Sequence, residues 1–440
     1  MSDDENPARL RRDLSLLDVV IFGASSAIGA SIFSVLSPAA RIAGPALLPA
    51  IGVSAIPMLV FALIYAALAS VLPMSGAAYE WPRRFVSPLV GFMTAWLRIL
   101  GNMGLLAVLA LVFFQYLHMT EGVPERLAML GLITLVALCN YFGIRLVATT
   151  QRLLMTVMIV ALAIYVAAGF RVIDPANLHW NDMIQPAPMV AAIPLLVGLY
   201  MGIEASVEVG AEVRNARIAI PLGIAVTSVA TLVIYLLVAT VTVGTLGSTQ
   251  LAASQAPLFD AAQLSLGRFG QPIILAAALV SLLKALNASF TVFSRFIFAM
   301  GQSRDLPRAL ATIHPRYGTP STAILACYGM GVAGIFLPTD LVFLFLAINI
   351  PTMFKYLANC VAGLRVARRH PELLAAAPFS IGPRSLATLS CLGVIMSVLI
   401  IVVGWEADAR PYWVISVWAL AGWIYWTMRR RLSSRPLADT

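Results

Sequence analysis

The chain has 440 residues, of which 60% are hydrophobic and only 11% charged, and its 29 Lys+Arg outweigh 20 Asp+Glu to give a formal charge of +9. Soluble domains carry about 25% charged residues, so the composition excludes an ordinary water-soluble enzyme or binding module and makes the bilayer the solvent. At about 20 apolar residues per span, the pattern predicts twelve transmembrane helices near 14–41, 46–73, 88–117, 126–143, 153–170, 188–213, 219–246, 271–301, 320–337, 341–364, 385–404 and 412–428. Several exceed the minimum length, which leaves room for tilt or a break.

The segment Met1–Asp13 is acidic and then basic, with neither an apolar core nor a small-residue cleavage site, so it reads as a tail rather than a signal peptide. With that tail inside, arginines at 9–12, 83–84, 145–152, 214–217, 295–316, 365–384 and 429–435 fall on inner segments. Arg41, Arg126, Arg171, Arg268 and Arg410 fall on outer ones. This bias expects both termini in the cytoplasm. It also accounts for the basic charge as a topology signal, with no nucleic-acid partner.

The first span carries a run of Gly, Ala and Ser from Gly23 to Ser31, in which Ser26, Ala27, Gly29, Ala30 and Ser31 form the middle. Small residues spaced by four suit a close helix–helix contact. They equally suit a helix whose backbone opens toward a ligand. The third span offers Trp96, Arg98, Gly101 and Asn102, with Arg98 and Asn102 four apart and hence on one helix face. An arginine at that depth either pairs with a carboxylate or binds one on a substrate, and in both cases the neighbour expected is Glu204 or Glu208.

The stretch Pro194–Pro221, which overlaps the sixth span, contains Gly198, Tyr200, Gly202, Glu204 and Glu208. Glycine inside a helix costs about 1 kcal/mol against alanine, and a charged carboxylate at bilayer depth costs about 2.5 to 3.5 kcal/mol on insertion scales. A merely stabilising span would contain neither. Interrupted segments in the first and sixth spans are the sequence pointer to an inverted repeat with a midplane site. Spans 1–5 (14–171) and 6–10 (188–369) are then the two repeats, spans 11 and 12 (385–428) are additions, and 429–440 is an inner tail.

Only two lysines occur, Lys284 in the eighth span and Lys355 in the tenth. Lysine, unlike arginine, can lose its proton on burial. Lys355 is expected near the inner leaflet, snorkelling. Lys284 lies midway down its span, where its charge is answered either by carbonyls of an opened helix or by Glu204 or Glu208. Glu212 and Arg214 are expected at the inner interface. Cys139, Cys327, Cys360 and Cys391 sit in apolar spans at no metal-ligand spacing, so buried thiols are expected rather than disulfides. Trp405, Tyr412, Trp413, Trp418, Trp423, Tyr425 and Trp426 form an interfacial belt or a packing face.

Five groups of residues carry a resemblance in order and spacing: Gly29-Ala30-Ser31-Ile32-Phe33; Gly202-Ile203-Glu204; Glu212-Val213-Arg214-Asn215 before Ile220-Pro221; Ser294-Arg295 with Ala299-Met300; and Leu306-Pro307 through His314 to Thr319-Pro320. Over essentially its full length the chain resembles the amino acid–polyamine–organocation transporter family. Two positions depart from that pattern. Gly29-Ala30-Ser31 stands where the family usually has Gly-Ser-Gly or Gly-x-Gly, and Ala216 stands where it usually has proline.

The resemblance implies an all-α membrane protein of five-plus-five inverted-repeat architecture with helices 1 and 6 broken. It implies Gly101-Asn102 near the substrate, Glu204 where proton-coupled members carry a glutamate, and Lys284 near the sodium ligands of sodium-coupled relatives, where an ammonium stands in for the cation. Unwinding leaves N–H groups on one half-helix and carbonyls on the other, which suit the carboxylate and ammonium of an amino acid.

The expected substrate-binding set is therefore Ser26, Ala27, Gly29, Ala30, Ser31, Arg98, Asn102, Gly198, Tyr200, Gly202 and Glu204, with Glu204, Glu208 and Lys284 as coupling groups. The expected function is a permease of the cytoplasmic membrane that moves an amino acid or related amine by alternating access, with protons and without sodium. A polyamine or organic-cation carrier and an amino acid exchanger are the alternatives. No cofactor or metal is called for. An intramembrane enzyme is disfavoured, because Glu204 and Glu208 have no His, Cys or nucleophile at useful spacing.

Overall fold

The computed structural model describes residues 10–29, 31–117, 124–178, 185–336, 341–407 and 410–433. Ala30, one of the expected site residues, lies outside them, as do the two ends of the chain. The described residues are helical, with no strand among them. In chain order the first helices are α1 (Leu16–Ala27), α2 (Ser31–Ala43), α3 (Leu47–Val71), α4 (Ala77–Phe85), α5 (Pro88–Leu117), α6 (Glu125–Tyr141), α7 (Ile144–Gly169) and α8 (Pro186–Leu196). After a stretch of 3-10 turns follow α9 (Ala216–Ala253), α10 (Pro257–Leu266), α11 (Gly270–Gln302) and α12 (Ser321–Gly334). The chain ends in α13 (Leu341–Arg369), α14 (Pro371–Ala375), α15 (Pro383–Ala407) and α16 (Arg410–Ser433).

Six stretches among the described residues are long and apolar enough to cross a membrane: Val35–Val71, Pro88–Leu117, Ile144–Gly169, Ala216–Ala253, Pro257–Gln302 and Pro383–Val402. Leu16–Ala27 and Ser321–Gly334 are shorter apolar helices. Large apolar side chains such as Leu153, Val229 and Leu399 point outward over these helices. So much exposed apolar surface is what lipid, not water, would cover.

The expected first span is two helices. α1 starts on a capping box, in which Ser15 and Asp18 cap each other's backbone, and Arg152 of α7 grips Asp18 through Nε to Oδ1 at 2.6 Å and Nη2 to Oδ2 at 2.7 Å. The helix ends at Ala27 and resumes at Ser31. The sixth span differs more. Only Pro186–Leu196 is α-helical, and short 3-10 turns at Val197–Tyr200, Ala205–Glu208 and Gly210–Glu212 carry the rest.

That irregular backbone is satisfied from both sides, as buried amides require. Leu14 N–H donates to the Glu212 carbonyl at 3.0 Å, Arg214 N–H to Leu14 at 2.9 Å, and Gly76 N–H to Glu208 at 3.0 Å. The short helices α4, α10 and α14 are absent from the span prediction because each is too short to cross a bilayer. α1 and the irregular stretch lie against α9 and α11, while α5 packs on both α11 and α13.

Two further expectations are corrected. All four cysteines are free, but Cys391 is exposed and Cys139 only partly buried. Arg295, counted among inner-segment arginines, is wholly buried inside α11. Part of the aromatic cluster is a packing face. Trp418 stacks on Trp96 at 4.7 Å while each indole N–H donates to the other's carbonyl, and Trp413 and Trp423 face outward.

Candidate functional site

The α1–α2 break frees carbonyl oxygens in the interior, and side chains from two other helices take them. Ser281 of α11 donates to the Ile28 carbonyl at 2.9 Å and to Gly29 at 3.0 Å. Lys284, one turn on, donates to Ser25 at 3.3 Å and also to Ile28. Tyr235 of α9 donates to Ala27 at 3.0 Å. Ser281 and Lys284 are both wholly buried. The Lys284 charge is thus met by the carbonyls that close α1. An ion pair with Glu204 or Glu208 is not formed, because those carboxylates have other partners.

The broken sixth segment meets the same point. Gly202 has φ of +104°, and a Cβ there would lie 3.0 Å from both the carbonyl carbon and the Oγ of Ser26. A side chain is excluded by strain and by contact together. Gly23 is a second close approach, since its Cβ would stand 2.9 Å from the Ile203 carbonyl. Ser26, Met201, Gly202 and Gly198 are each partly exposed, and a Cβ on Gly198 would meet nothing within 4 Å. Open space therefore adjoins the breaks, while Tyr200 is buried, donates to Ile51 at 2.9 Å and packs edge-on to Tyr235.

Each carboxylate of the sixth segment has one basic partner. Arg98 of α5 donates to Glu208 at 2.7 Å and lies 4.6 Å over the Phe296 ring. Arg295 is bidentate on Glu212, at 3.0 Å and 3.3 Å. Glu204 receives Lys355 Nζ at 2.6 Å and the Tyr356 hydroxyl at 2.7 Å, both on Oε1. The second oxygens of Glu204 and Glu208 are buried without a hydrogen-bond partner among the described residues.

The structure thus gathers Ser26, Ala27, Gly29, Gly198, Gly202 and Glu204 around the two breaks, with Lys284 behind the first. Ser31 opens α2 just beyond the first break. Asn102 is partly exposed one turn from Arg98, and its amide donates to the Arg98 carbonyl at 2.8 Å. Arg98 pairs with Glu208, so of its two expected roles the geometry gives the pairing one.

Lys355 was expected to snorkel at the inner leaflet. It is instead buried on Glu204, because a charge held by a buried carboxylate and an aromatic face need not reach water. Glu212 is buried on Arg295, a structural pairing. Sequence reasoning missed Ser281, Tyr235 and Tyr356. The only signal for Lys355 was that both lysines of the chain fall in spans.

The sequence pattern of the family described as amino acid permease matches residues 14–428. An uncharacterized transporter of Mycobacterium tuberculosis is 34% identical over 337 residues, 76% of either chain. The branched-chain amino acid permease of Bacillus subtilis is 25% identical over 454 residues, covering 97% of this chain and 94% of the relative. Human cationic amino acid transporter 4 is 25% identical over 413 residues, 87% of this chain and 63% of the relative.

Proposed function

The chain belongs to the amino acid permease family, and on that footing we propose that it carries an amino acid across the cytoplasmic membrane by alternating access, coupled to protons and independent of sodium. It is a transporter rather than an enzyme, and its substrate is a small molecule. We read the helices as two inverted repeats with α1–α2 and the sixth segment as the corresponding broken elements, and both termini as cytoplasmic. The substrate site then lies between residues 25–31 and 198–204, with Asn102 at its flank. N–H groups opening α2 would receive a carboxylate, and carbonyls released along 197–204 would receive an ammonium.

One observation carries the coupling: Lys284 occupies the carbonyl cluster where α1 ends, with no carboxylate partner of its own among the described residues. A fixed ammonium there does what a bound cation would do, and two cations in so small a site repel. A lysine can also release its proton when α1 moves away and the carbonyls are withdrawn. Glu204 and Glu208 are then structural partners first, because each already holds a base. The polyamine reading loses its support for the same reason.

The test is uptake of labelled leucine into proteoliposomes with an inside-alkaline pH gradient and no sodium. Accumulation above equilibrium that a protonophore abolishes is expected. Uptake that only ever equilibrates would overturn proton coupling, and no uptake of any amino acid would overturn the carrier reading.

A further inference from the structure

Beside the breaks, the structure contains a built ammonium site that the protein fills itself. Glu204 follows the strained Gly202 by two residues and is buried. The Lys355 ammonium sits on its Oε1 at 2.6 Å, 4.3 Å from the Tyr356 ring centroid and 5.8 Å from that of Tyr65. Tyr356 stacks on Phe61 at 4.6 Å and meets Tyr65 edge-on at 5.7 Å, so the aromatic wall is held rigidly. A carboxylate flanked by aromatic faces is the chemistry that recognises an organic ammonium. Glu204 Oε2 is buried without a partner among the described residues, so the carboxylate has capacity that Lys355 does not use.

We propose that Lys355 is the specificity-determining residue of the carrier. Its ammonium takes the position that the cationic side chain of a lysine-like or diamine substrate would need, and it thereby restricts transport to amino acids with uncharged side chains. The inference rests on the amino acid carrier reading above. Charge matching supports it. Glu204 is matched by Lys355 and Glu208 by Arg98, so neither carboxylate offers a net negative charge to a substrate. Lys284, buried against carbonyls at the same break, adds a positive charge that repels a second one.

Purified protein is tested by displacement of labelled leucine with unlabelled leucine, lysine and putrescine. In the native protein leucine displaces, while lysine and putrescine fail to do so at about a hundredfold higher concentration, a gap of the size that rejection by like charge produces. Lys355→Met, which keeps the apolar stem, gains lysine binding by about tenfold or more. Lys355→Arg stays selective, and the double variant Lys355→Met with Glu204→Gln loses the gain.

Lysine displacing leucine from the native protein overturns the proposal and leaves the carrier reading standing. A Lys355→Met variant that still binds leucine yet gains no affinity for lysine overturns it as well. Failure of every amino acid to bind the native protein overturns the parent reading and this one with it. Should Lys355→Met not fold, the native displacement and Lys355→Arg still decide, because lysine binding to either contradicts the inference.

Discussion

Gly202 joins the two breaks, and its sequence context already marked it, since a glycine two residues from a carboxylate weakens a span twice over. At φ of +104° with Ser26 atoms 3.0 Å from a Cβ, Gly202→Leu should cost about 1–3 kcal/mol of strain and abolish uptake, while Gly198→Ala, which meets open space, should leave the unfolding temperature nearly unchanged. Thermal unfolding with uptake on the same preparations checks both; equal tolerance at the two positions would contradict the close approach. Arg98 behaves differently. Its removal leaves Glu208 buried without a base, so Arg98→Ala should destabilise by about 3–5 kcal/mol, and adding Glu208→Gln should recover part of that loss in the same unfolding assay. Which carboxylate would receive Arg98 was not legible in the sequence. Helical spacing puts Arg98 and Asn102 on one face but says nothing about a partner 110 residues away, and Lys355 with Glu204, 151 residues apart, was invisible for the same reason.

Among the elements, the break in the first span was legible because small residues interrupt an otherwise bulky apolar run. The form of the sixth span was not. Its apolar residues continue through Val207, Val209 and Val213, so periodicity alone extends a helix that the structure replaces with 3-10 turns. The replacement is stable because backbone from Leu14 and Gly76 supplies the missing hydrogen bonds, a long-range arrangement that no local pattern encodes. Ser281 and Lys284 perform the matching service for the first break. Ser281→Ala together with Lys284→Ala should strip the Ile28 and Gly29 carbonyls of their side-chain donors, at about 1–3 kcal/mol per group left unpaired. Amide exchange should then quicken in α1 while α16 stays as protected as before. Uniform loosening of the whole protein would contradict a local role.

For the whole molecule, composition was the legible part. An apolar chain of this kind predicts the helical membrane protein found, and the span at 88–117 coincides with α5, Pro88–Leu117. Reporter fusions after Arg126 and Arg171 should report the outside, and fusions after Arg84 and Arg217 the cytoplasm; the reverse pattern would contradict the proposed orientation. The account turns on the Lys284 ammonium standing in place of a bound cation at the helix break. The measurement that tests this most directly is amino acid uptake by the native protein in proteoliposomes, at fixed pH, with sodium replaced throughout by choline. Rates that match with and without sodium are the predicted result, and a clear sodium requirement would contradict it.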